Sequence, residues 1–221
     1  MKTAAMIGAT GLVGSHLLDL LIKNNQFDQV KVFTRRTTGI KADKLQEFLI
    51  DFDKPDEWNS DVNGDVLFSA LGTTIKKAGS QTDQYKIDFT YQYTFAQIAA
   101  KNGTGCFVLV SSAGADPKSK IFYSRMKGEL EEAVKNLPFQ KIRIIQPGIL
   151  DGERKESRPM EKFAITVAKG LNYIPGIGKY RPVHAGIVAR AMINSASIDK
   201  KGVLCFTLEE VFSLAEQKTS M

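Results

Sequence analysis

Short apolar runs and longer amphipathic stretches alternate along the first 150 residues of the chain. The apolar runs, several of them closed by glycine or a small polar residue, predict β-strands at Lys2–Ile7, Gln29–Thr34, Phe48–Ile50, Asp65–Ala70, Gly105–Ser111 and Lys141–Gln146. The stretches between them have apolar residues at helical spacing and predict helices at Leu12–Lys23, Tyr85–Lys101 and Tyr123–Lys135. Regular strand–helix alternation is typical of an α/β fold with a doubly wound parallel sheet.

The pattern loosens between residue 151 and residue 221. It predicts helices at Phe163–Lys169 and Ile187–Ala196 and a late strand at Gly202–Thr207, while prolines and glycines interrupt residues 170–186. We therefore expect one domain over residues 1–221, with a core of about residues 1–150. The rest, about residues 151–221, is expected to be a small C-terminal elaboration on the substrate side of the sheet.

A glycine-rich turn follows the first predicted strand and opens the first predicted helix. Gly8, Gly11 and Gly14 have the spacing and the flanks of the dinucleotide-binding fingerprint. The first glycine allows a tight turn, the second lets the backbone approach a pyrophosphate, and the third lets helix and strand pack closely. The helix N-terminus adds N–H donors and a positive dipole end. We expect a Rossmann fold whose phosphate-binding turn comprises Gly8, Thr10, Gly11, Leu12, Val13 and Gly14.

The end of the second predicted strand indicates which dinucleotide binds. NAD-binding folds usually carry an acidic residue there for the ribose hydroxyls, whereas this strand ends in Arg35 and Arg36, with no carboxylate before Asp43. Guanidinium groups suit a 2′-phosphate, so the pattern favours NADP(H) over NAD(H). The alternative is a solvent-exposed basic loop. Asp51 and Phe52 close the third strand, where we expect them to flank the adenine.

A second group of residues indicates acid–base chemistry. Ser111 and Ser112 end the fifth strand, and Tyr123 and Lys127 follow at i and i+4 on one face of a helix. An ammonium beside a phenol lowers the pKa of a phenol from ~10 and makes it useful as an acid or base nearer neutral pH. A serine hydroxyl at the adjoining strand end can bind the same substrate oxygen. We therefore interpret Tyr123 and Lys127 as catalytic rather than as a surface pair.

These motifs together resemble the short-chain dehydrogenase/reductase superfamily. The closer resemblance is to its atypical branch, typified by the Tat-interacting oxidoreductase family, and it rests on Leu71-Gly72-Thr73-Thr74, Lys77-Ala78-Gly79, Ser111-Ser112-Ala113-Gly114-Ala115-Asp116, Lys127-Gly128-Glu129 and Gln146-Pro147-Gly148-Ile149-Leu150. Residues 154–159 continue the pattern. One motif departs from it, because relatives often carry arginine where this chain has Gln146, which removes any family role for that side chain.

The resemblance implies an oxidoreductase in which Tyr123 is the general acid/base. Lys127 would assist its ionisation and bind the nicotinamide ribose. Ser112 would polarise a substrate carbonyl, with Ser111 as the alternative because the register of the motif differs by one among relatives. Two turns would contact the cofactor, one passing beneath it and one flanking the nicotinamide: Leu71, Gly72, Thr73 and Thr74, and then Pro147, Gly148, Ile149 and Leu150.

Two further arginines, Arg154 and Arg158, follow the turn after the sixth strand, on the expected substrate side. They could bind a carboxylate or phosphate of the substrate. Pairing with Glu153 and Glu156 in solvent is an equal alternative.

Composition narrows the remaining function classes. The net charge is +6, but the lysines and arginines are spread along the chain, which argues against a nucleic-acid partner. No apolar run approaches the ~20 residues of a membrane span, and the first residues leave no room for a secretory signal before the glycine motif, so we expect a cytoplasmic protein.

Cys106 and Cys205 lie in apolar runs and are expected to be reduced core thiols. We predict no metal site and leave the oligomeric state open, with a homodimer as one option.

These observations favour an NADPH-dependent oxidoreductase that reduces a small carbonyl substrate, with Tyr123 as the general acid. The alternative is a non-catalytic NADPH-binding regulator or scaffold. Such relatives typically lose the tyrosine or the lysine, and this chain keeps both. A nucleotide-sugar epimerase is less favoured, because those enzymes normally carry a larger C-terminal substrate domain.

Overall fold

Parallel strands form the centre of the molecule. The structure, a computed structural model, describes residues 2–151 and 182–217. Its strands are β1 (Thr3–Ile7), β2 (Gln29–Thr34), β3 (Leu45–Leu49), β4 (Val66–Ser69), β5 (Cys106–Val110), β6 (Lys141–Gln146), β7 (Leu150–Asp151), β8 (Val183–His184) and β9 (Gly202–Thr207). Within these ranges, seven strands form one parallel sheet in the order β3-β2-β1-β4-β5-β6-β9, and β7 pairs with β8. The predicted α/β class with a doubly wound parallel sheet is confirmed.

Helices cover both faces of this sheet. They are α1 (Leu12–Lys23), α2 (Ile75–Ala78), α3 (Gln81–Tyr85), a π-helical segment (Lys86–Thr90), α4 (Tyr91–Lys101), α5 (Phe122–Lys135), α6 (Ala185–Ser197) and α7 (Glu209–Glu216). Along β5, Val108 faces the α1 and α6 layer, whereas Phe107 and Leu109 face the α4 and α5 layer. All three side chains are fully buried, as expected for a strand with apolar layers on both sides.

The order of the strands creates a crevice between β1 and β4. From β1 the chain runs outward through β2 to β3, then crosses back to β4 and runs outward in the other direction. In open α/β sheets, ligands bind at the carboxyl ends of the strands where this direction reverses. Gly8 and Ala70, the residues directly after β1 and β4, mark that point.

Several predicted elements differ from the observed ones for identifiable reasons. The third strand begins at Leu45 rather than at Phe48, since an edge strand is half exposed and its polar residues hide its start. The predicted helix Tyr85–Lys101 is interrupted by the π-helical segment. Cys205 is exposed because it lies on the outer face of edge strand β9, so the expectation that it is a core thiol is wrong. The predicted helix Phe163–Lys169 lies outside the described residues.

A buried arginine joins β6 to the C-terminal part of the sheet. Arg143 is completely buried, and burial lowers the pKa of its guanidinium. Its N–H groups donate to five backbone carbonyls, those of Ile142, Ser195, Ile198, Lys200 and Gly202. The charge is therefore satisfied by carbonyl oxygens, four of which come from the end of α6 and the approach to β9. Arg143 fixes this last strand against the rest of the sheet.

Replacement of Arg143 by lysine is expected to lower the free energy of unfolding by about 2–4 kcal/mol, since an ammonium cannot reach all of these carbonyls and leaves some buried without a donor. Urea unfolding of the two proteins measures the difference. The matched control is Arg190→Lys on the exposed side of α6, which is expected to change stability by less than about 0.5 kcal/mol. Equal losses of unfolding free energy in the two variants would contradict the conclusion that Arg143 fixes β9 against the rest of the sheet.

Candidate functional site

The glycine turn after β1 is built from close backbone contacts. Gly8 has a φ of +85°, which favours glycine, and its carbonyl accepts a hydrogen bond of 2.9 Å from the N–H of Gly11. A Cβ on Gly14 would lie 1.9 Å from the carbonyl oxygen of Gly8. The first turn of α1 carries no acidic residue and no side-chain cap, so the positive end of its dipole is available to an anion.

The turn after β4 packs directly on the glycine turn. A Cβ on Gly8 would lie 2.4 Å from both the carbonyl carbon of Ala70 and the nitrogen of Leu71. The two backbones therefore touch with no room for side chains between them. This contact places the predicted cofactor turn Leu71–Thr74 beside the predicted phosphate-binding turn.

Arg35 and Arg36 are exposed at the carboxyl end of β2. Among the described residues, neither guanidinium forms an ion pair or a hydrogen bond. The carboxylate of Glu47 on adjacent strand β3 is already occupied, since it accepts the hydroxyl of Thr37 at 2.8 Å and the N–H of Thr38 at 2.9 Å. Both arginines are therefore accessible to an anion from solution.

Asp51 and Phe52 follow β3 at the same edge of the sheet. The Phe52 ring is buried against Trp58, Tyr91 and Phe95, at ring-centroid distances of 6.2, 5.2 and 6.3 Å. Asp51 is exposed, and its backbone carbonyl accepts a hydrogen bond of 2.8 Å from the indole N–H of Trp58. Any contact of this loop with an adenine would use backbone atoms or Asp51, and that role stays a prediction.

The two serines at the end of β5 have different surroundings. Ser111 is buried, and its hydroxyl donates to the carboxylate of Glu131 on α5. The amide of Gln146 donates to both oxygens of the same carboxylate at 2.9 Å. Ser112 is half-buried, and its hydroxyl makes a long bond of 3.3 Å to the carbonyl of Ala113. Ser111 is thus held in a buried network, which leaves Ser112 the better placed of the two to bind a substrate.

Lys127 lies beside Tyr123 and is paired with a carboxylate. Its Nζ atom is 5.9 Å from the centroid of the Tyr123 ring and 3.1 Å from Oδ1 of Asp88. The Lys127 and Asp88 side chains are only 4% and 1% exposed. The other carboxylate oxygen of Asp88 accepts the N–H of Thr73 at 2.7 Å. One buried ion pair therefore links the predicted acid–base pair to the predicted cofactor turn.

Asp88 is a site residue that the hydrophobic pattern does not reveal. It belongs to a polar column of three buried residues, Gln84, Asp88 and Gln92, spaced four apart on the π-helical segment and its neighbours. The Gln84 amide donates to the carbonyl of Thr73 at 3.2 Å, and the Gln92 amide donates to the carbonyl of Asp88 at 2.6 Å. The sequence feature that could have identified Asp88 is this four-residue spacing of polar residues on the buried face of a helix. The prediction of the helix Tyr85–Lys101 considered only the spacing of its apolar residues and therefore missed it.

Gly128 brings the loop after β5 against α5. A Cβ on it would lie 2.2 Å from the nitrogen of Pro117 and 2.4 Å from the carbonyl carbon of Asp116. The N–H of Asp116 also donates to the carbonyl of Ser124 at 3.0 Å. The residue next to Lys127 must therefore be small for the strand-end serines and the start of α5 to meet.

The turn after β6 is tied to the turn after β5. The carbonyl of Pro147 accepts the N–H of Ala113 at 2.9 Å, and the carbonyl of Ile149 accepts the N–H of Val183 at 2.8 Å. Gly148, Ile149 and Leu150 are half-buried. This turn lies beside the serines at the carboxyl edge, and its contact with a nicotinamide stays a prediction.

The predicted substrate ligands Arg154 and Arg158 lie outside the described residues. Within residues 2–151 and 182–217, no cluster of histidine, cysteine, aspartate and glutamate could hold a metal ion. No helix in the same ranges is both long and apolar enough to cross a membrane.

A Rossmann fold with a fingerprint glycine turn at its switch point defines an NAD(P)-binding domain. An NAD(P)H-binding family model matches residues 8–161. The chain is 40% identical over 181 residues to "Protein fmp52, mitochondrial" of Emericella nidulans, covering 79% of this chain and 78% of that protein. It is 38% identical over 213 residues to the Aspergillus fumigatus protein of the same name, covering 88% and 87%. The chain belongs to the NAD(P)H-binding family and is a relative of the fmp52 proteins.

Solved structures with this fold include proteins described with nucleotide sugars. "MoeE5 in complex with UDP-glucuronic acid and NAD" has a TM-score of 0.71 at 17% identity, covering 96% of this chain and 81% of that chain. A UDP-N-acetylglucosamine 4-epimerase from Methanobrevibacter ruminantium has a TM-score of 0.68 at 17% identity, covering 96% and 80%. At such identities the likeness shows the fold alone. The NAD(P)-binding Rossmann part of the predicted resemblance is confirmed, and the Tat-interacting family is not shown.

The expectation of a cytoplasmic protein is contradicted by the curated relatives. The fmp52 proteins of Emericella nidulans, Aspergillus fumigatus and Aspergillus niger are all named mitochondrial. The expectation rested on finding neither a secretory signal nor a membrane span, and neither of those features reports on mitochondria.

Replacement of Gly14 by alanine is expected to open the glycine turn, because its Cβ would meet the backbone oxygen of Gly8 at 1.9 Å. We expect a loss of at least ~2 kcal/mol of unfolding free energy and weaker NADPH binding. Chemical unfolding and a fluorescence titration with NADPH measure the two effects. Gly105→Ala is the control, since its Cβ would have its nearest neighbour 4.0 Å away. Similar losses in both variants would show that the close contact at Gly14 is not the cause.

Proposed function

We propose that this chain is an NADP(H)-dependent oxidoreductase of the short-chain dehydrogenase/reductase type that reduces a small carbonyl substrate. The observation that carries the proposal is the pairing of Tyr123 with Lys127, whose Nζ lies 5.9 Å from the tyrosine ring. Asp88 joins this pair to the turn packed on the glycine turn. The resemblance of the ordered motifs to those of the Tat-interacting oxidoreductase family supports the same reaction class.

The residues present fit a bound dinucleotide. The close backbone contacts at Gly8 and Gly14, where a Cβ would lie 1.9–2.4 Å from backbone atoms, form the tight turn that the pyrophosphate-binding fingerprint requires, and the uncapped start of α1 suits a diphosphate. Arg35 and Arg36, exposed and uncommitted within the described residues, would hold a 2′-phosphate. Lys127 would bind the nicotinamide ribose. When bound, the nicotinamide supplies the hydride.

The chain itself supplies the proton and the orientation of the substrate. Tyr123 donates a proton to the carbonyl oxygen as it becomes an alkoxide, and Ser112 donates a hydrogen bond to the same oxygen. Ser112 is preferred to Ser111 because the Ser111 hydroxyl is committed to Glu131. The proposed anion ligands Arg154 and Arg158 would select a substrate with a carboxylate or phosphate.

The names of the fmp52 relatives support a mitochondrial location for this chain.

Replacement of Tyr123 by phenylalanine is expected to lower carbonyl turnover by at least ~10²-fold, the usual effect of losing a general acid. NADPH affinity is expected to stay unchanged, since the ring remains. The readouts are NADPH oxidation with a panel of small carbonyls and an NADPH titration. Tyr93→Phe on α4 is the matched control, because that hydroxyl lies on another helix. Full turnover in Tyr123→Phe removes this residue from the mechanism, and a wild type that reduces no carbonyl favours the non-catalytic regulator.

Replacement of both Arg35 and Arg36 by alanine is expected to weaken NADPH binding by about 10- to 100-fold, because a phosphate loses two charge-assisted partners. NADH binding is expected to change little. Parallel titrations with NADPH and NADH measure the ratio, and Lys54→Ala, an exposed lysine beyond β3, controls for a general loss of positive charge. Equal affinity of the wild type for the two nucleotides would exclude a 2′-phosphate site here.

A further inference from the structure

We infer that Glu47 on β3 is a positioning residue for cofactor selection, which folds the loop after β2 so that Arg35 and Arg36 are presented to a 2′-phosphate. The inference rests on the proposed function, in which these two arginines bind that phosphate. Among the described residues, Glu47 forms neither an ion pair nor a hydrogen bond with either arginine. It acts on them through the two threonines that follow, Thr37 and Thr38.

The Glu47 carboxylate holds two consecutive residues of this loop. Its Oε2 atom accepts the hydroxyl of Thr37 at 2.8 Å, and Oε1 accepts the N–H of Thr38 at 2.9 Å together with the Thr38 hydroxyl. The two hydroxyls in turn accept backbone N–H groups, that of Gly39 at 3.1 Å and that of Ile40 at 3.2 Å. One side chain therefore fixes four successive residues of the loop.

The register of the sheet shows that the loop turns back at the arginines. Glu47 is paired with Val32, two residues before β2 ends at Thr34. Four residues of extended chain after Thr34 would reach about 13 Å beyond the end of the strand. Thr38 is instead hydrogen-bonded to a side chain whose backbone lies below that end. The chain therefore reverses direction within the two arginines, which form the bend.

A second contact fixes the bend from the side of the strand. Thr34 is buried, and its hydroxyl donates to the carbonyl of Arg36 at 2.9 Å. The bend is thus held at both ends, by Thr34 on one side and by Glu47 on the other. A loop that is ordered before its ligand arrives loses less conformational freedom on binding, and this raises the affinity.

The partners of Glu47 also determine what the arginines can bind. Burial acts to raise the pKa of Glu47, but the hydrogen bonds from Thr38 and Thr37 outweigh it and lower the pKa below its ordinary value. Glu47 is therefore negatively charged at neutral pH, and its hydrogen bonds among the described residues all come from neutral donors. An ion pair with a guanidinium would instead compete with a phosphate for the same N–H groups. The carboxylate thus holds the loop without occupying the arginines.

Glu47→Ala tests the inference, because positioning and simple charge repulsion predict opposite results. If Glu47 acts by positioning, its loss frees the loop, and we expect NADPH to bind about 5- to 10-fold more weakly with little change for NADH. If Glu47 acts only as a nearby negative charge, its loss would strengthen NADPH binding, since like charges repel. Fluorescence titrations with NADPH and NADH measure both affinities without a substrate.

Asp43→Ala is the matched control, since Asp43 is an exposed carboxylate that precedes β3 rather than facing the loop. It is expected to leave the ratio of NADPH to NADH affinity unchanged. The double variant Thr37→Val/Thr38→Val removes both hydroxyls at constant charge and is expected to weaken NADPH binding as Glu47→Ala does. Thr37→Ser/Thr38→Ser keeps the hydroxyls and is expected to retain the wild-type ratio.

A wild type that prefers NADPH, with a Glu47→Ala variant that keeps or increases this preference, would reject the role of Glu47 and leave the arginine site intact. A wild type that binds both nucleotides equally would exclude the 2′-phosphate site and the inference with it. If circular dichroism shows Glu47→Ala to be unfolded, the threonine variants decide between the same outcomes. The titrations need no turnover, so they decide the point even for a protein that reduces no carbonyl.

Discussion

Contact of backbone against backbone at the switch point of the sheet determines where every other part of the site can lie. The turn after β1 touches both the first turn of α1 and the turn after β4, and Cβ atoms on Gly8 or Gly14 would lie 1.9–2.4 Å from backbone atoms. No side-chain packing could bring three chain segments this close. Because the segments meet there, the start of α1 lies next to the turn after β4, which in turn is hydrogen-bonded to the carboxylate of Asp88.

Each of the buried charged groups near this contact has an ion-pair or hydrogen-bond partner among the described residues. Lys127 is balanced by Asp88, and the Glu131 carboxylate is shared by Ser111 and Gln146. A low-polarity interior strengthens such interactions and equally penalises any that are incomplete. Tyr123 therefore lies beside a buried ion pair and Ser112 follows a serine held in a buried network, whereas Arg35 and Arg36 are exposed and have no such partner among the described residues.

Sequence patterns predicted most of the fold, because the inner strands are apolar on both faces and the spaced glycines lie between a predicted strand and a predicted helix. They missed features that depend on contacts between residues far apart in the sequence. Asp88 meets Lys127 across 39 positions, and the only local sign of it is the four-residue spacing of the polar residues Gln84, Asp88 and Gln92. Likewise, the choice between Ser111 and Ser112 depends on Glu131 of α5, which no local motif encodes. The start of edge strand β3 and the exposure of Cys205 on edge strand β9 were predicted wrongly because one side of each strand is exposed, whereas the bounds of β9 were predicted correctly.

Arg143 also has a consequence for how the chain folds. Four of its carbonyl partners come from residues 195–202, more than fifty positions later. Until those residues dock, the guanidinium keeps water as its hydrogen-bond partner, because the segments that bury it are the same ones that supply the carbonyls. The burial of Arg143 and the addition of β9 to the sheet are therefore coupled in folding, since neither is complete without the other.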